Sequence, residues 1–340
     1  MAPPHAPLAL TMGDPAGIGP DITVTAWQAR RDRQVPPFTV YADANVLLQR
    51  AGDLRCAVSI VEIERPQDAA RVFANALPVM PIPSTGHVRA GTPSSHHALA
   101  TLASIDLATA AVLAGDARAL VTNPIAKSVL YHAGFRHPGH TEYLAHLASV
   151  HTRRPILPVM MLASAALRVV PVTIHIPLHQ VTAALTAELL RKTIEITAAA
   201  LSRDFGIANP RVAVAGLNPH AGEDGAIGTE ERTLIAPVIA ELRAAGLDIS
   251  GPHSADTLYH AAARAHYDVA VAMYHDQALI PIKTLSFDTG VNVTLGLPFV
   301  RTSPDHGTAF DIAGTGKASA ESLIQALLLA DKMANARAWA

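Results

Sequence analysis

Residues 213–224 read AVAGLNPHAGED, in which a short apolar run passes through a turn to His220. Two other apolar runs end in the same way, because RVVPVTIH reaches His175 and YDVAVAMYH reaches His275. Short β-branched runs that alternate with longer helical patterns are typical of an α/β fold with a mostly parallel sheet. The carboxyl ends of parallel strands open on one crevice, where such folds bind ligands. We therefore expect the three histidines to lie at the same edge.

Each of these histidines taken alone is more often a structural polar residue than a ligand. Their repetition at one edge favours a functional interpretation, because three imidazoles with an open fourth position suit a catalytic divalent metal. The intervals between them match no local metal motif. Asp256, in the segment ADTLYH, is either a helix cap or a group that orients one of the metal histidines.

Further polar residues follow other predicted strands or begin predicted helices. Arg and Lys beside the free amides of a helix N-terminus form a phosphate site, and we expect Thr141 to be the N-cap of such a helix. For Asn123 and Lys127, a structural cap or a solvated charge is an equally good interpretation. The candidate residues are Asn123, Lys127, His140, Thr141, Lys283, Asn292 and Arg301.

Composition narrows the class of protein. The chain has 340 residues, enough for two lobes, and its 26 basic and 28 acidic residues are spread along it, so we expect no nucleic-acid partner. The single cysteine, Cys56, fits a packed side chain in a reducing compartment such as the cytoplasm. The N-terminus does not resemble a secretory signal, and we expect no membrane span.

Standard nucleotide-binding motifs are absent from the sequence. The segment GIGPDI has Ile22 where the third glycine of a dinucleotide fingerprint stands, and AGTGKAS lacks the first glycine of a P-loop and the hydroxyl after Lys317. A nucleotide cofactor must therefore be held in another way.

Ordered motifs along nearly the whole chain resemble those of the 4-hydroxythreonine-4-phosphate dehydrogenases of pyridoxal phosphate (vitamin B6, or pyridoxine) biosynthesis. The resemblance implies an α/β/α subunit of the isocitrate and isopropylmalate dehydrogenase type, two-lobed and dimeric, with its active site in the interdomain cleft. It implies an outer lobe of residues 1–137 and 290–340 and a central lobe of residues 138–289. The motifs are GDPAGIGPD, GHTEYL, TIHIPL, GLNPHAGE, ADT, AMYHDQ, GVNVTLGLPFVRTS and DHGTAFDIAGTGK.

The resemblance also implies roles for individual residues. His175, His220 and His275 correspond to the ligands of one divalent metal ion (zinc, magnesium or cobalt), with His275 supplied by the partner subunit. A loop near the C-terminus corresponds to the one that holds the nicotinamide cofactor, NAD or NADP. The implied substrate contacts are His140, Thr141, Lys283, Asn292 and Arg301, and the implied cofactor contacts are His306, Gly307, Thr308 and Asp311.

The implied reaction is the oxidation of 4-phosphooxy-L-threonine by NAD, followed by loss of carbon dioxide. Lys283 is a candidate for the group that takes the proton, and it is equally a candidate for holding the phosphate. Two other reactions stay open, a dehydrogenase of phosphorylated threonate or erythronate and a metal-dependent hydrolase that activates water. A third alternative is a phosphometabolite-binding protein without catalysis.

Overall fold

The computed structural model of the chain describes residues 6–84 and 86–339, with side chains described up to residue 337. These residues form two compact units, the described parts of Met1–Pro158 with Leu297–Trp339, and Val159–Gly296. The lobe boundaries implied by the family resemblance fall after residues 137 and 289. The extreme ends of its outer lobe, residues 1–5 and 340, lie outside the described residues.

The first unit is built on parallel strands in the order β3-β4-β2-β1-β5-β12, and helices α4 and α12 pack against this sheet. Its strands are β1 (Leu8–Thr11), β2 (Phe38–Ala42), β3 (Ile60–Glu62), β4 (Leu77–Pro81), β5 (Leu120–Val121) and β12 (Arg301–Pro304). Its helices are α1 (Gly19–Gln28), α2 (Ala44–Asp53), α3 (Ala69–Val72), α4 (Ala98–Ala114), α5 (Lys127–His132), α6 (His140–Thr152) and α12 (Glu321–Trp339).

The second unit has the strand order β11-β6-β7-β10-β8-β9, and it departs from the parallel pattern at one side. Strand β6 runs antiparallel to both β11 and β7, whereas β7, β10, β8 and β9 are parallel. Its strands are β6 (Val159–Ala163), β7 (Arg168–Thr173), β8 (Val212–Ala215), β9 (Ile249–His253), β10 (Val269–Tyr274) and β11 (Val291–Leu295). Its helices are α7 (Val181–Ala184), α8 (Ala187–Phe205), α9 (Ala236–Ala244), α10 (Ala261–Arg264) and α11 (His275–Ser286).

Local sequence signals explain where the long helices begin and end. Thr186 caps α8 by accepting a hydrogen bond from the backbone N–H of Leu189, and the left-handed Gly206 ends it. Gly115 ends α4 in the same way, with φ of 83°. Helix α9 begins differently, because a π-helical turn at Glu231–Ile235 leads directly into it.

Among the described residues, one helical stretch, Ser95–Ala114, is long and apolar enough by length and composition to cross a membrane. Half of that stretch is buried within the protein, and α4 packs on β1, β2 and β5. Its alanine-rich sequence suits close packing of helix on sheet, as in the core helix of an α/β unit. We therefore assign it to the core of the first unit.

Candidate active site

His175, His220 and His275 each follow the carboxyl end of a strand, and these strands, β7, β8 and β10, are parallel neighbours. His275 is the first residue of α11, directly after β10, while the other two lie in the loops after β7 and β8. The parallel order therefore brings all three to one edge of the second unit.

Two side chains join the ends of these strands. The hydroxyl of Thr173 donates to the carbonyl of Met273 at 2.8 Å, which ties β7 to β10. Gln277, in the first turn of α11, accepts from the N–H of Met273 at 2.7 Å and donates to the carbonyl of Gly216 at 2.8 Å. These hydrogen bonds fix the ends of β7, β8 and β10 relative to one another, and the segments that carry the histidines begin at those ends.

The imidazoles of His175 and His275 lie close together, with ring centroids 5.7 Å apart. Both line a cavity of about 340 Å³ whose wall also includes Leu178 and Tyr274. The Nδ1 atom of His275 is 2.7 Å from a carboxylate oxygen of Asp276, a contact that orients the ring. The two imidazoles therefore line one cavity, and that of His275 is held by Asp276.

His220 lies in a turn of unusual backbone conformation. All residues from His220 to Asp224 have positive φ, and four of the five are not glycine. Such conformations are strained and persist only where the surroundings hold them. Here the buried carboxylate of Glu231 accepts hydrogen bonds from the backbone and the side-chain amide of Asn218, at 2.7 and 3.0 Å. A Cβ on Gly222 would lie only 2.5 Å from the same carboxylate, so the turn closes tightly around Glu231.

The carboxylate of Asp256 is close enough to His220 for the two charges to interact. The pKa of Asp256 is lowered mainly by a hydrogen bond from the hydroxyl of Ser254, and the charge of His220 contributes. The interpretation of Asp256 as an orienter of a histidine is therefore compatible with its surroundings, while its hydrogen bond to Ser254 also fits a local turn.

Within the described residues of one chain, no group of three or more histidine, cysteine or carboxylate side chains is arranged to hold a metal ion. Neutral imidazole is nevertheless the ligand that catalytic zinc sites use most. The donor chemistry of the three histidines therefore fits a divalent metal ion.

A second cluster lies in the first unit, around the start of α6. Gly139 precedes the helix and His140 is its first residue, so Thr141 is not the N-cap, contrary to the prediction. The backbone at Gly139 is extended, with φ of −173°, a conformation open to any residue. The Nε2 atom of His140 is buried and has no hydrogen-bond partner among the described residues. A buried polar atom of this kind indicates a place for a ligand.

Arg301 begins β12 and is only 4% exposed. Its guanidinium donates to the hydroxyl of Thr122 at 2.6 Å. Burial lowers the pKa of Arg301 to about 10, although the negative charge of Glu142 raises it, so the side chain stays charged at neutral pH. Burial, together with the charges of Arg301 and Lys127, holds the pKa of His140 well below 6.5, and that imidazole is neutral.

Lys127 is the first residue of α5 and does not lie at the end of a strand. Its side chain lies near the start of α6. A Cβ on Gly139 would lie 3.3 Å from the ammonium of Lys127 and 3.0 Å from a carboxylate oxygen of Glu142. Arg301, Lys127, a neutral His140 and the amides of the α6 N-terminus form what we call the cationic cradle. The cluster contains two cations, Arg301 and Lys127, and one carboxylate, Glu142. The excess of positive charge suits a bound phosphate.

The hydrogen bonds of Asn123 support its interpretation as a structural residue. Its side-chain amide donates to the carbonyl of Thr11 at 3.0 Å and to the hydroxyl of Thr23 at 2.8 Å. Asn123 is 1% exposed, and it links the end of β1 to α1.

The other predicted residues occupy both units. Lys283 lies on α11, with its ammonium 5.7 Å from the ring centroid of Phe287, and Asn292 lies on β11 of the same unit. His306, Gly307, Thr308 and Asp311 lie in the loop after β12 of the first unit. A Cβ on Gly307 would meet nothing within 4 Å, so the backbone there is open to a ligand.

Several residues that support the site were not singled out from the sequence. Glu231, Asn218 and Gln277 each act through hydrogen bonds to residues distant in the chain. Asn218 and Gln277 fall within the motifs GLNPHAGE and AMYHDQ, which was the available signal.

Comparisons with known proteins identify the family of this chain. The family model described as pyridoxal phosphate biosynthetic protein PdxA matches residues 34–330. Proteins named 4-hydroxythreonine-4-phosphate dehydrogenase are 58% identical in Methylorubrum populi, covering 98% of this chain and 96% of that protein, and 56% identical in Bradyrhizobium diazoefficiens, covering 97% and 98%. A crystal structure of 4-hydroxythreonine-4-phosphate dehydrogenase from Klebsiella pneumoniae superposes with a TM-score of 0.86 at 37% identity, covering 97% of this chain and 98% of that one. This chain therefore belongs to the family of enzymes described as pyridoxal phosphate biosynthetic protein PdxA.

Proposed function

We propose that this enzyme oxidises the secondary alcohol of 4-phosphooxy-L-threonine with NAD or NADP in pyridoxal phosphate biosynthesis. A hydride passes from the carbon to the nicotinamide and the hydroxyl proton passes to a base, giving 2-amino-3-oxo-4-(phosphooxy)butanoate. That 3-oxo acid then loses carbon dioxide to give 3-amino-2-oxopropyl phosphate. The names of the relatives support a dehydrogenase acting on this class of substrate.

The cationic cradle is the observation that carries the proposal. A buried arginine and a nearby lysine, facing a helix N-terminus, favour a phosphate over a neutral or cationic group. The buried Nε2 of His140 has no hydrogen-bond partner among the described residues, so it is available to the ligand in this proposal. In this proposal Arg301, Lys127 and His140 hold the phosphate, while Thr141 and Asn292 contact the rest of the substrate.

We assign the cofactor to the loop that carries His306, Gly307, Thr308 and Asp311. The open space at Gly307 allows a ligand to approach the backbone closely, which is what a pyrophosphate or ribose needs from a loop without a glycine fingerprint.

His175 and His220 of one chain and the partner subunit's His275 are the proposed ligands of a divalent metal ion. Such an ion, when bound, stabilises negative charge on the substrate oxygen during oxidation and decarboxylation. Lys283 is the proposed acceptor of the hydroxyl proton, because a positioned lysine amine can act as a general base.

A shared site requires a homodimer. Large apolar side chains are exposed after β7 and along α11, with Leu178 at 70%, Ile280 at 64% and, just after the end of α11, Phe287 at 75%. Exposed apolar residues grouped in this way are typical of protein interfaces, and a second copy of the chain is the proposed occupant. The single reduced cysteine fits a cytoplasmic enzyme.

The test is an assay of reduced nicotinamide by near-ultraviolet absorbance, with NAD or NADP and zinc, magnesium or cobalt. We expect reduction with 4-phosphooxy-L-threonine, release of carbon dioxide in equal amount, and little reaction with unphosphorylated 4-hydroxythreonine as the matched control. Faster reduction with phosphorylated threonate or erythronate would replace the proposed substrate. Phosphate release or other hydrolysis without nicotinamide reduction would favour a hydrolase, and binding without turnover a binding protein.

A further inference from the structure

The segment GDPAGIGPD, residues 13–21, has no role in the proposed chemistry. It packs against residues 305–317, the loop to which the cofactor is assigned and which we call the cofactor loop. The backbone N–H of Ile18 donates to the carbonyl of Thr308 at 2.9 Å. A Cβ on Gly17 would lie 2.8 Å from that same carbonyl oxygen. Since real Cβ contacts are not that short, only glycine at position 17 permits this approach.

The same segment supports the middle of the cofactor loop through Gly91. The N–H of Gly91 donates to the carbonyl of Ala16 at 2.8 Å. A Cβ on Gly91 would lie 2.9 Å from the carbonyl oxygen of Phe310. Gly91 is therefore held between the glycine-rich segment and the loop.

A buried ion pair fixes the far end of the loop. Arg50 and Asp21 are in contact, and their side chains are 3% and 2% exposed. Asp21 accepts a hydrogen bond from the backbone N–H of Gly314 at 2.7 Å. Arg50 also donates to the carbonyl of Gly17 at 2.8 Å, so one pair joins α1, α2, the glycine-rich segment and the loop.

A buried ion pair is a poor source of stability, because desolvation cancels most of the attraction and an apolar pair of the same size does as well. What the Arg50–Asp21 pair provides instead is a fixed geometry, because both partners make directional hydrogen bonds. A site that binds a flexible ligand depends on such preorganised support.

We propose that Gly17, Asp21 and Arg50 are positioning residues that hold the 305–317 loop in its cofactor-binding conformation. They act through Thr308 and Gly314 and set the affinity for the nicotinamide cofactor without contacting it. The inference rests on the proposed function only in assigning the cofactor to this loop.

The test compares Gly17→Ala with Gly52→Ala. Gly52 lies near the end of α2, and a Cβ there meets nothing within 4 Å, which makes it a matched control. Dissociation constants of reduced nicotinamide cofactor are measured by its fluorescence on the protein, and those of inorganic phosphate by calorimetry. We expect Gly17→Ala to weaken cofactor binding about tenfold, as a loss of about 1.4 kcal/mol does. Phosphate binding, and both affinities of Gly52→Ala, should stay at the wild-type values.

Hydrogen exchange of Asp21→Asn provides a second test that needs no cofactor and serves if Gly17→Ala does not fold. We expect the amides of residues 308–316 to exchange at least tenfold faster than in wild type, while those of β5 are unchanged. Wild-type cofactor affinity in folded Gly17→Ala, or unchanged exchange in Asp21→Asn, overturns the inference. A wild-type protein that binds no nicotinamide cofactor contradicts the proposed function instead, and the exchange experiment still decides whether these residues hold the loop.

Discussion

Replacing Arg301 by methionine should separate stability from substrate binding. Burial lowers the pKa of Arg301 from its usual range to about 10, a difference worth about 3 kcal/mol against the charged form. Losing the hydrogen bond to Thr122 costs about 1 kcal/mol. We therefore expect Arg301→Met to raise the free energy of unfolding of the ligand-free protein by about 1–2 kcal/mol. Urea unfolding without phosphate measures this change.

The same substitution should raise KM for the phosphorylated substrate about 100-fold, because a buried charge-assisted contact to phosphate contributes about 3 kcal/mol of binding. The maximal rate should change little, since the phosphate does not react. Arg50→Met is the matched control. It leaves the buried carboxylate of Asp21 without its cation and should lower the free energy of unfolding by about 3–5 kcal/mol. Equal destabilisation of both variants, with KM unchanged in Arg301→Met, refutes the cationic cradle as a phosphate site.

Three further results are expected. An equal mixture of inactive His220→Ala and His275→Ala chains should regain about a quarter of wild-type activity after random subunit exchange; no recovery despite exchange places the metal site within one chain. Because the pKa of His140 is lowered in the folded protein, the unfolded chain takes up its proton first, and stability should fall as the pH drops below about 6.5. His140→Gln should weaken that fall, and an identical pH profile contradicts the assignment of a neutral imidazole. Glu231→Gln should loosen the turn held through Asn218 and weaken zinc binding about 10- to 100-fold, measured as metal retained after dialysis; full retention shows that the turn holds without the carboxylate.

The sequence pattern was sufficient to predict the alternation of strands and helices, and the glycines that end α4 and α8, Gly115 and Gly206, belong to the same kind of local signal. These features depend on residues a few positions apart, through hydrophobic periodicity and the conformational freedom of glycine. The same reasoning located the three histidines at strand ends, because a parallel sheet puts the ends of β7, β8 and β10 at one edge. It failed at the start of α6, where Gly139 takes the place expected for Thr141, since a hydroxyl is only one of several ways to begin a helix.

The sequence by itself determined the class of fold, the family and the chemical types of the candidate ligands, because these follow from residue order and local spacing. Only the tertiary structure decided which of those residues are buried, charged or strained. Asn123 and Arg301 were both candidate ligand-binding residues in the sequence. In the structure Asn123 links β1 to α1, whereas Arg301 is a buried cation near His140. The supports provided by Glu231, Gln277 and the Asp21–Arg50 pair also emerged only there. The physical reason is that desolvation and hydrogen-bond geometry depend on what surrounds an atom in space, and most of those neighbours are far away along the chain.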